Sequence, residues 1–373
     1  MRASQKWIVA DMDKTLMDKQ PGTYPAFSDS PAFQPVLNWL SLGGKLLCVT
    51  SDDGYRPFRQ FWDDIPNGHK RNGQVLLSTA GGATLFTGDN DGEAVKVTSF
   101  FEQVRGGLPH PRQATRIATK MLSDFFLDAF DDFSILKPIE ERRRSAYEKI
   151  LKKCKSKKEL ENLLTEKNMI QPGKVLERGS LIWRNQAGPV NSWIKLKDVE
   201  KNWESIFFTN LFVLGLPDSI SPRYIQKYSK SLEVLGIKAS AAPNSVCLSN
   251  NSIDKGTVIR WMNDCDEFDF SYQNCIAIGD NPDGNDYALT TFQNDGMAFI
   301  NCGDKTTQHD TYFVGEYEFG VSKFIHYLNG VIKMTNSGDG TESDRDTKNV
   351  SMQDIFAEHH LNDATKSSRG SKL

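Results

Sequence analysis

Trp7-Ile8-Val9-Ala10-Asp11-Met12-Asp13-Lys14-Thr15-Leu16 is the stretch on which the reading of the fold turns. Its first four residues form an apolar, β-branched and aromatic run, the pattern of a strand buried on both faces in a parallel sheet. Asp11 and Asp13 then put two carboxylates where that strand ends, at the carboxyl edge on which open α/β folds bind ligands. Two like charges so close repel, so the pair calls for a cation, a proton or a strong donor. Mg²⁺ with a phosphate suits it, since Mg²⁺ favours a few carboxylates together with phosphate oxygens and water.

An isolated Asp-x-Asp is more often a surface turn; the rest of the chain argues otherwise. Ile276-Ala277-Ile278-Gly279-Asp280 is a second apolar run ending in a carboxylate, followed by Asp283, Asn285 and Asp286. Leu46-Leu47-Cys48-Val49-Thr50-Ser51 is a third buried-strand pattern, ending in hydroxyls. Asp254-Lys255-Gly256 precedes an apolar helical stretch through Val258, Ile259, Trp261 and Met262.

Strand-acid, strand-hydroxyl, lysine and strand-acid, in that order, resemble the four motifs of the haloacid-dehalogenase (HAD) superfamily of phosphohydrolases. The resemblance covers most of residues 5 to 330 and implies a Rossmann-like α/β core with a parallel sheet. Only 39 positions separate Asp11 from Thr50, whereas 205 separate Thr50 from Lys255. The long insertion therefore falls between the second and third motifs. That arrangement resembles members with an inserted α+β C2-type cap: the Cof-like, sucrose-phosphatase-like and phosphomannomutase-like groups. The expected organisation is a first core part at 1–83, a cap at 84–243, a second core part at 244–332 and a disordered polar tail at 333–373. Gly279-Asp280 and Gly284-Asn285-Asp286 resemble the family's Gly-Asp and Asn-Asp, with two extra residues between the halves.

Carried onto this sequence, the resemblance implies a Mg²⁺-dependent phosphatase acting on a small phosphorylated metabolite, a sugar phosphate or similar. Asp11 would be the nucleophile that forms an aspartyl-phosphate. Asp13 would protonate the leaving group and then take a proton from water. Dehalogenases and P-type ATPases lack an acid at this second position, so its presence favours the phosphatases. Thr50, better placed than Ser51 beside it, would bind a phosphoryl oxygen. Lys255 would neutralise phosphate charge and keep Asp11 ionised. Mg²⁺ would be held by Asp11, the backbone carbonyl of Asp13 and Asp280, with Asp286 supporting the shell and Asp283 as the alternative. The competing readings are a phosphohexomutase, a nucleoside-monophosphate hydrolase and a non-catalytic binding protein on the same scaffold.

The remaining signals are weaker. Arg178 and Arg184-Asn185 lie in a segment similar to the phosphomannomutase cap stretch that contacts a substrate phosphate, and an arginine fork suits that task. An exposed edge strand explains them equally well. The basic stretch from Arg142 to Lys158 reads as a solvated helix face, and Asp89-Asn90-Asp91-Gly92 as a hairpin turn whose spacing fails the EF-hand pattern.

A length of 373 residues predicts about two domains. A net charge of −3 gives no basic excess for nucleic acid, and the longest apolar run is too short for a bilayer. The amino terminus reaches a core strand at once, so no signal peptide is expected. Six cysteines without Cys-x-x-Cys spacing read as thiols in a reducing compartment. Ser371-Lys372-Leu373 matches a peroxisomal address read by an import receptor, implying a peroxisome or related organelle in a eukaryote and the cytoplasm otherwise.

Overall fold

The computed structural model describes residues 7–18, 25–52, 56–106, 111–139, 141–164, 180–183, 210–214, 216, 219–242, 245–304, 307–309 and 311–336. The chain forms two compact units, one from residues up to Glu102 and from Asp254 onward, the other from Gln103–Ile253.

The first unit is built on an eight-stranded sheet. Its strands are β1 (Trp7–Asp11), β2 (Lys45–Val49), β3 (Val75–Ser78), β4 (Phe86–Gly88), β5 (Ala94–Lys96), β10 (Cys275–Gly279), β11 (Ala298–Asn301) and β12 (Tyr312–Phe313). Their order across the sheet is β12-β11-β10-β1-β2-β3-β4-β5. Every pairing from β12 to β3 is parallel, and the two pairings at the other edge, β3–β4 and β4–β5, are antiparallel. The α/β core with a parallel sheet that the sequence predicts is present.

All five residues of β1 are buried. Alternation sends Ile8 and Ala10 into one cluster with Val36, Trp39 and Leu40 of the helix Phe33–Ser41 and Val321, Ile325 and Leu328 of the helix Tyr317–Asn336. Trp7 and Val9 point the other way and are equally inaccessible. A strand covered on both faces has no use for polar alternation, which is why the sequence reads as an unbroken apolar run.

The chain leaves β1 toward β2 and β3 on one side, and returns much later to lay β10, β11 and β12 on the other. That reversal makes the carboxyl end of β1 a topological switch point, where neighbouring connections diverge and open a crevice.

The second unit carries a four-stranded antiparallel sheet, β6 (Ser180–Trp183), β7 (Asn210–Leu214), β8 (Ile237–Ala242) and β9 (Ser245–Asn250), in the order β6-β7-β9-β8. Its helices span Pro111–Asp131, Glu141–Lys153, Lys157–Leu163 and Ser221–Val234. Phe125, Phe126, Tyr147, Tyr224, Val246 and Leu248 belong to a core of its own. Tyr224 and Tyr228 donate to Asp128 and Asp124 at 2.9 and 2.5 Å, tying two of these helices together.

Several expectations are corrected. The cap was expected to open at 84 and close at 243, but β4 pairs onto β3 through Leu77 and Phe86, so the hairpin extends the first sheet. Asp89 forms its turn by accepting from the backbone of Asp91 and Glu93, both at 2.9 Å. β9 pairs with β7 along one edge and β8 along the other, which makes it interior to the second sheet and moves the return to the core from 244 to Asp254.

The basic stretch from Arg142 to Lys158, read from sequence as one helix face, runs over two helices. Ser156 starts the second one by accepting from Glu159 N–H at 3.2 Å, while the Glu159 carboxylate reaches back to Lys155 N–H at 2.7 Å. Ser-x-x-Glu marks such a helix start in the sequence, with the Glu159 carboxylate reaching one residue beyond the N-cap itself. The final helix continues to Asn336, past the 333 boundary at which the tail was expected. The Ser371-Lys372-Leu373 terminus lies outside the described residues. None of the six cysteines is in a disulfide.

Candidate active site

The register of the central strands decides what meets at the switch point. Ala10 lies beside Ile278 of β10, and Asp11 lies beside Val49 of β2. One step further, Asp280 follows β10 and Thr50 follows β2, so the three sequence motifs end on one edge of the sheet. Asp11 is only 2% exposed there.

Lys255 arrives from the first turn of the helix Lys255–Asp264. Asp254 sets that start, its N–H donating to Thr257 Oγ1 at 3.0 Å. Gly82, in the left-handed region at φ +94°, lets the turn after β3 lie against this point: a Cβ there would stand 2.1 Å from the Asp254 carbonyl oxygen. The buried Lys255 ammonium then donates to Asp11 Oδ1 at 2.5 Å and to Asp286 Oδ1 at 2.6 Å. The second oxygen of Asp286 accepts from Asn281 N–H at 3.0 Å. Gly279 is required beside it, because a Cβ at that position would come within 2.5 Å of Asp286 Oδ2.

Asp11, Asp280 and Asp286 each bring a carboxylate oxygen within 4.8 Å of the others. One lysine cannot neutralise three such groups. Burial pushes the Asp11 carboxyl up to about 7, against the opposing pull of Lys255 and with further upward pressure from Asp286. Burial likewise raises Asp280 to about 6, with repulsion from Asp286 added and Lys255 and Lys14 opposing. Burial would lower the Lys255 ammonium, but its two carboxylate partners outweigh that and hold it above the ordinary lysine range. An all-oxygen donor set with surplus negative charge and little solvent fits a hard divalent cation such as Mg²⁺. Both oxygens of Asp286 are already engaged, so Asp11 and Asp280 fit direct ligation and Asp286 the support of the shell.

Asp13 occupies the tight turn after β1. Leu16 and Met17 N–H both donate to the Met12 carbonyl, at 3.1 and 3.0 Å, and Lys14 takes a left-handed φ of 60°. That conformation is costly for a residue with a Cβ. Cys302 packs beneath this turn, its thiol 3.6 Å from Thr15 Oγ1. The Asp13 carboxylate accepts from the Arg56 guanidinium, whose Nε also pairs with Asp52 Oδ2 at 2.8 Å. Thr50 is 1% exposed and its hydroxyl accepts from Asp52 N–H at 3.1 Å.

The structure thus brings together Asp11, Lys255, Asp280 and Asp286, with Thr50 beside them at the end of β2 and Asp13 on the adjoining turn. Ser51 is exposed. Asp283, the alternative to Asp286, is turned outward to Thr307 Oγ1 at 3.0 Å and Gln308 N–H at 3.1 Å. Arg178, Arg184 and Asn185 lie outside the described residues. Arg56 was not foreseen. It sits next to a single turn of π-helix, Phe58–Trp62, a local irregularity frequent at functional sites. No spacing from Asp13 could have pointed to it, because the contact closes over 43 positions through the fold.

No family model and no curated protein matches the chain. Among solved structures it is similar to a haloacid dehalogenase-like hydrolase from Bacteroides thetaiotaomicron, at 13% identity and a TM-score of 0.49 over 87% of this chain and 99% of the other. A trehalose-6-phosphate phosphatase related protein is similar at 15% identity and a TM-score of 0.42, over 88% and 99% of the two chains. A HAD subclass IIB sugar phosphatase is similar at 10% identity and a TM-score of 0.44, over 87% and 98%.

Proposed function

We propose that this protein is a Mg²⁺-dependent phosphatase that hydrolyses a small phosphorylated metabolite, a sugar phosphate or similar, through an aspartyl-phosphate. One observation carries the reading: a buried aspartate at the switch point, held by a buried lysine, with a second strand-end aspartate close enough to share a divalent cation. The substrate class rests on the sequence resemblance.

In this reading an Asp11 carboxylate oxygen attacks phosphorus. The bond from phosphorus to the leaving oxygen breaks, its electron pair stays on that oxygen, and the proton comes from Asp13. In the second half Asp13 takes a proton from water, whose oxygen attacks the same phosphorus and returns Asp11 as a carboxylate with release of inorganic phosphate. Lys255 pulls Asp11 toward its ionised form against burial and compensates phosphoryl charge. Thr50 offers a hydroxyl to a phosphoryl oxygen. A Mg²⁺ ion on Asp11 and Asp280 would supply charge stabilisation to the phosphoryl oxygens.

Released phosphate from p-nitrophenyl phosphate and a panel of sugar phosphates, with Mg²⁺ and with EDTA, tests this. Asp11→Asn should lose turnover by at least ~10³-fold, since a neutral amide cannot carry the covalent step. Undiminished phosphate release by Asp11→Asn would end the proposal.

A further inference from the structure

Arg56 stands between two acids near the end of β1. Its guanidinium holds Asp13 on one side and Asp52 on the other, and the three side chains are 16%, 20% and 23% exposed. Burial alone would weaken its charge, yet hydrogen bonding and attraction from Asp13, with Asp52 adding to them, raise it above the ordinary arginine value. Asp52 is itself anchored: its N–H donates to Thr50 Oγ1 at 3.1 Å, and its carbonyl accepts from Ala80 N–H at 2.8 Å. A continuous path therefore runs from Thr50 through Asp52 and Arg56 to Asp13.

A pair this accessible contributes little to stability, about 1 kcal/mol or less. It does restrict direction. Asp13 stands on a strained turn, and a lone carboxylate there would sample several rotamers. A guanidinium is planar and presents its donors in a rigid fork, which here spans two acids: one terminal nitrogen meets Asp13 Oδ1 while Nε meets Asp52 Oδ2, so Asp52 sets the direction from which Asp13 is held, as an ammonium could not. Proton transfer to a leaving oxygen depends on that orientation, and an error of an ångström can cost about 10²-fold.

We infer that Arg56 is the positioning residue of Asp13, aiming the acid that protonates the leaving group while anchored through Asp52 to the Thr50 strand end. This rests on the phosphatase reading above, in which the proton moves from Asp13 to the departing oxygen as the phosphorus–oxygen bond breaks.

The leaving group separates this role from a merely structural one. p-Nitrophenolate departs without a proton; the alkoxide of glycerol 2-phosphate needs one. First-turnover release of each alcohol would be followed in the wild type, Arg56→Gln, Arg56→Lys, Asp13→Asn and the Arg56→Gln/Asp13→Asn double variant. Arg56→Gln should slow glycerol release by about 10²-fold, within the range of general acid catalysis, and nitrophenolate release by less than tenfold. Arg56→Lys, which keeps the charge without the fork, should show the same skew. The double variant should be no slower on glycerol 2-phosphate than Asp13→Asn alone, because both changes remove one proton transfer. Equal losses on the two substrates, or losses that multiply in the double variant, would overturn the inference. Turnover of p-nitrophenyl phosphate by the wild type tests the phosphatase reading separately. Equal loss on both substrates in either Arg56→Gln or a folded Arg56→Lys, verified by thermal melting, is sufficient to refute the role.

Discussion

Lys255 and Arg56 each lie between two aspartates at the carboxyl edge of the same sheet, yet they are different devices. Lys255 and its partners Asp11 and Asp286 are at most 3% exposed as side chains, so bulk solvent does little to replace a lost partner. Arg56, Asp13 and Asp52 keep a path to solvent. A cation in the first setting is a condition for the carboxylates being there at all, because ionised groups in a low-dielectric interior require compensation. A cation in the second sets direction, since water can take over its neutralising work but not its shape. The strand end thus separates a charge-bearing group, which must be enclosed, from a proton-carrying group, which must meet substrate and solvent in turn.

Removing the enclosed cation is the strongest way to break this contrast. Lys255→Met should destabilise the protein by about 3–5 kcal/mol in the absence of Mg²⁺, the cost of leaving buried charge unpaired. Urea unfolding checks it, and a loss below 1 kcal/mol would mean that the pocket admits water.

An intermediate effect comes from pH. Asp11, at about 7, and Asp280, at about 6, stand above the range they occupy in an unfolded chain. A carboxyl raised by folding contributes stability that is fully present below its unfolded value and is lost as pH rises through its folded value. Without a divalent cation these two groups therefore favour the fold at pH 5 and cease to do so between about 6 and 7. Mg²⁺ prefers the ionised forms, so it should raise the melting temperature more at pH 8 than at pH 5. An equal rise at both pH values would count against Asp11 and Asp280 as ligands.

The smallest effect sharpens the other side. Arg56→Gln should shift unfolding free energy by no more than about 1 kcal/mol, as for other accessible ion pairs. A shift as large as that of Lys255→Met would place the two cations in one class.

Much of this site is legible in the sequence because its acids stand at the ends of fully buried strands. Trp7–Ala10 and Ile276–Ile278 are apolar without interruption, and the first acid after each run, Asp11 or Asp280, must lie at the carboxyl end of its strand. Lys255 is readable from its place at a helix start after a long insertion. Asp286 is set apart from Asp283 only by the fold: one turns inward to Lys255, the other outward to Thr307 and Gln308. The misplaced boundaries have a similar cause. A short hairpin such as β4–β5 carries the same signal whichever sheet it joins, and β9 reads as an apolar strand without naming its partners. Arg56 left no trace, since its role comes from geometry closed through space.

The place of β1 in the sheet also governs the order in which the molecule can be made. Its neighbour β10 follows 264 positions after β1 ends, counting from Asp11 to Cys275. During synthesis β1 can pair with β2, but its other edge waits until nearly three quarters of the chain has emerged. The residues between include a unit with its own apolar core, able to collapse in the meantime. A ribosome stalled before β10 would display a bare apolar edge, the kind of surface that recruits chaperones or aggregates.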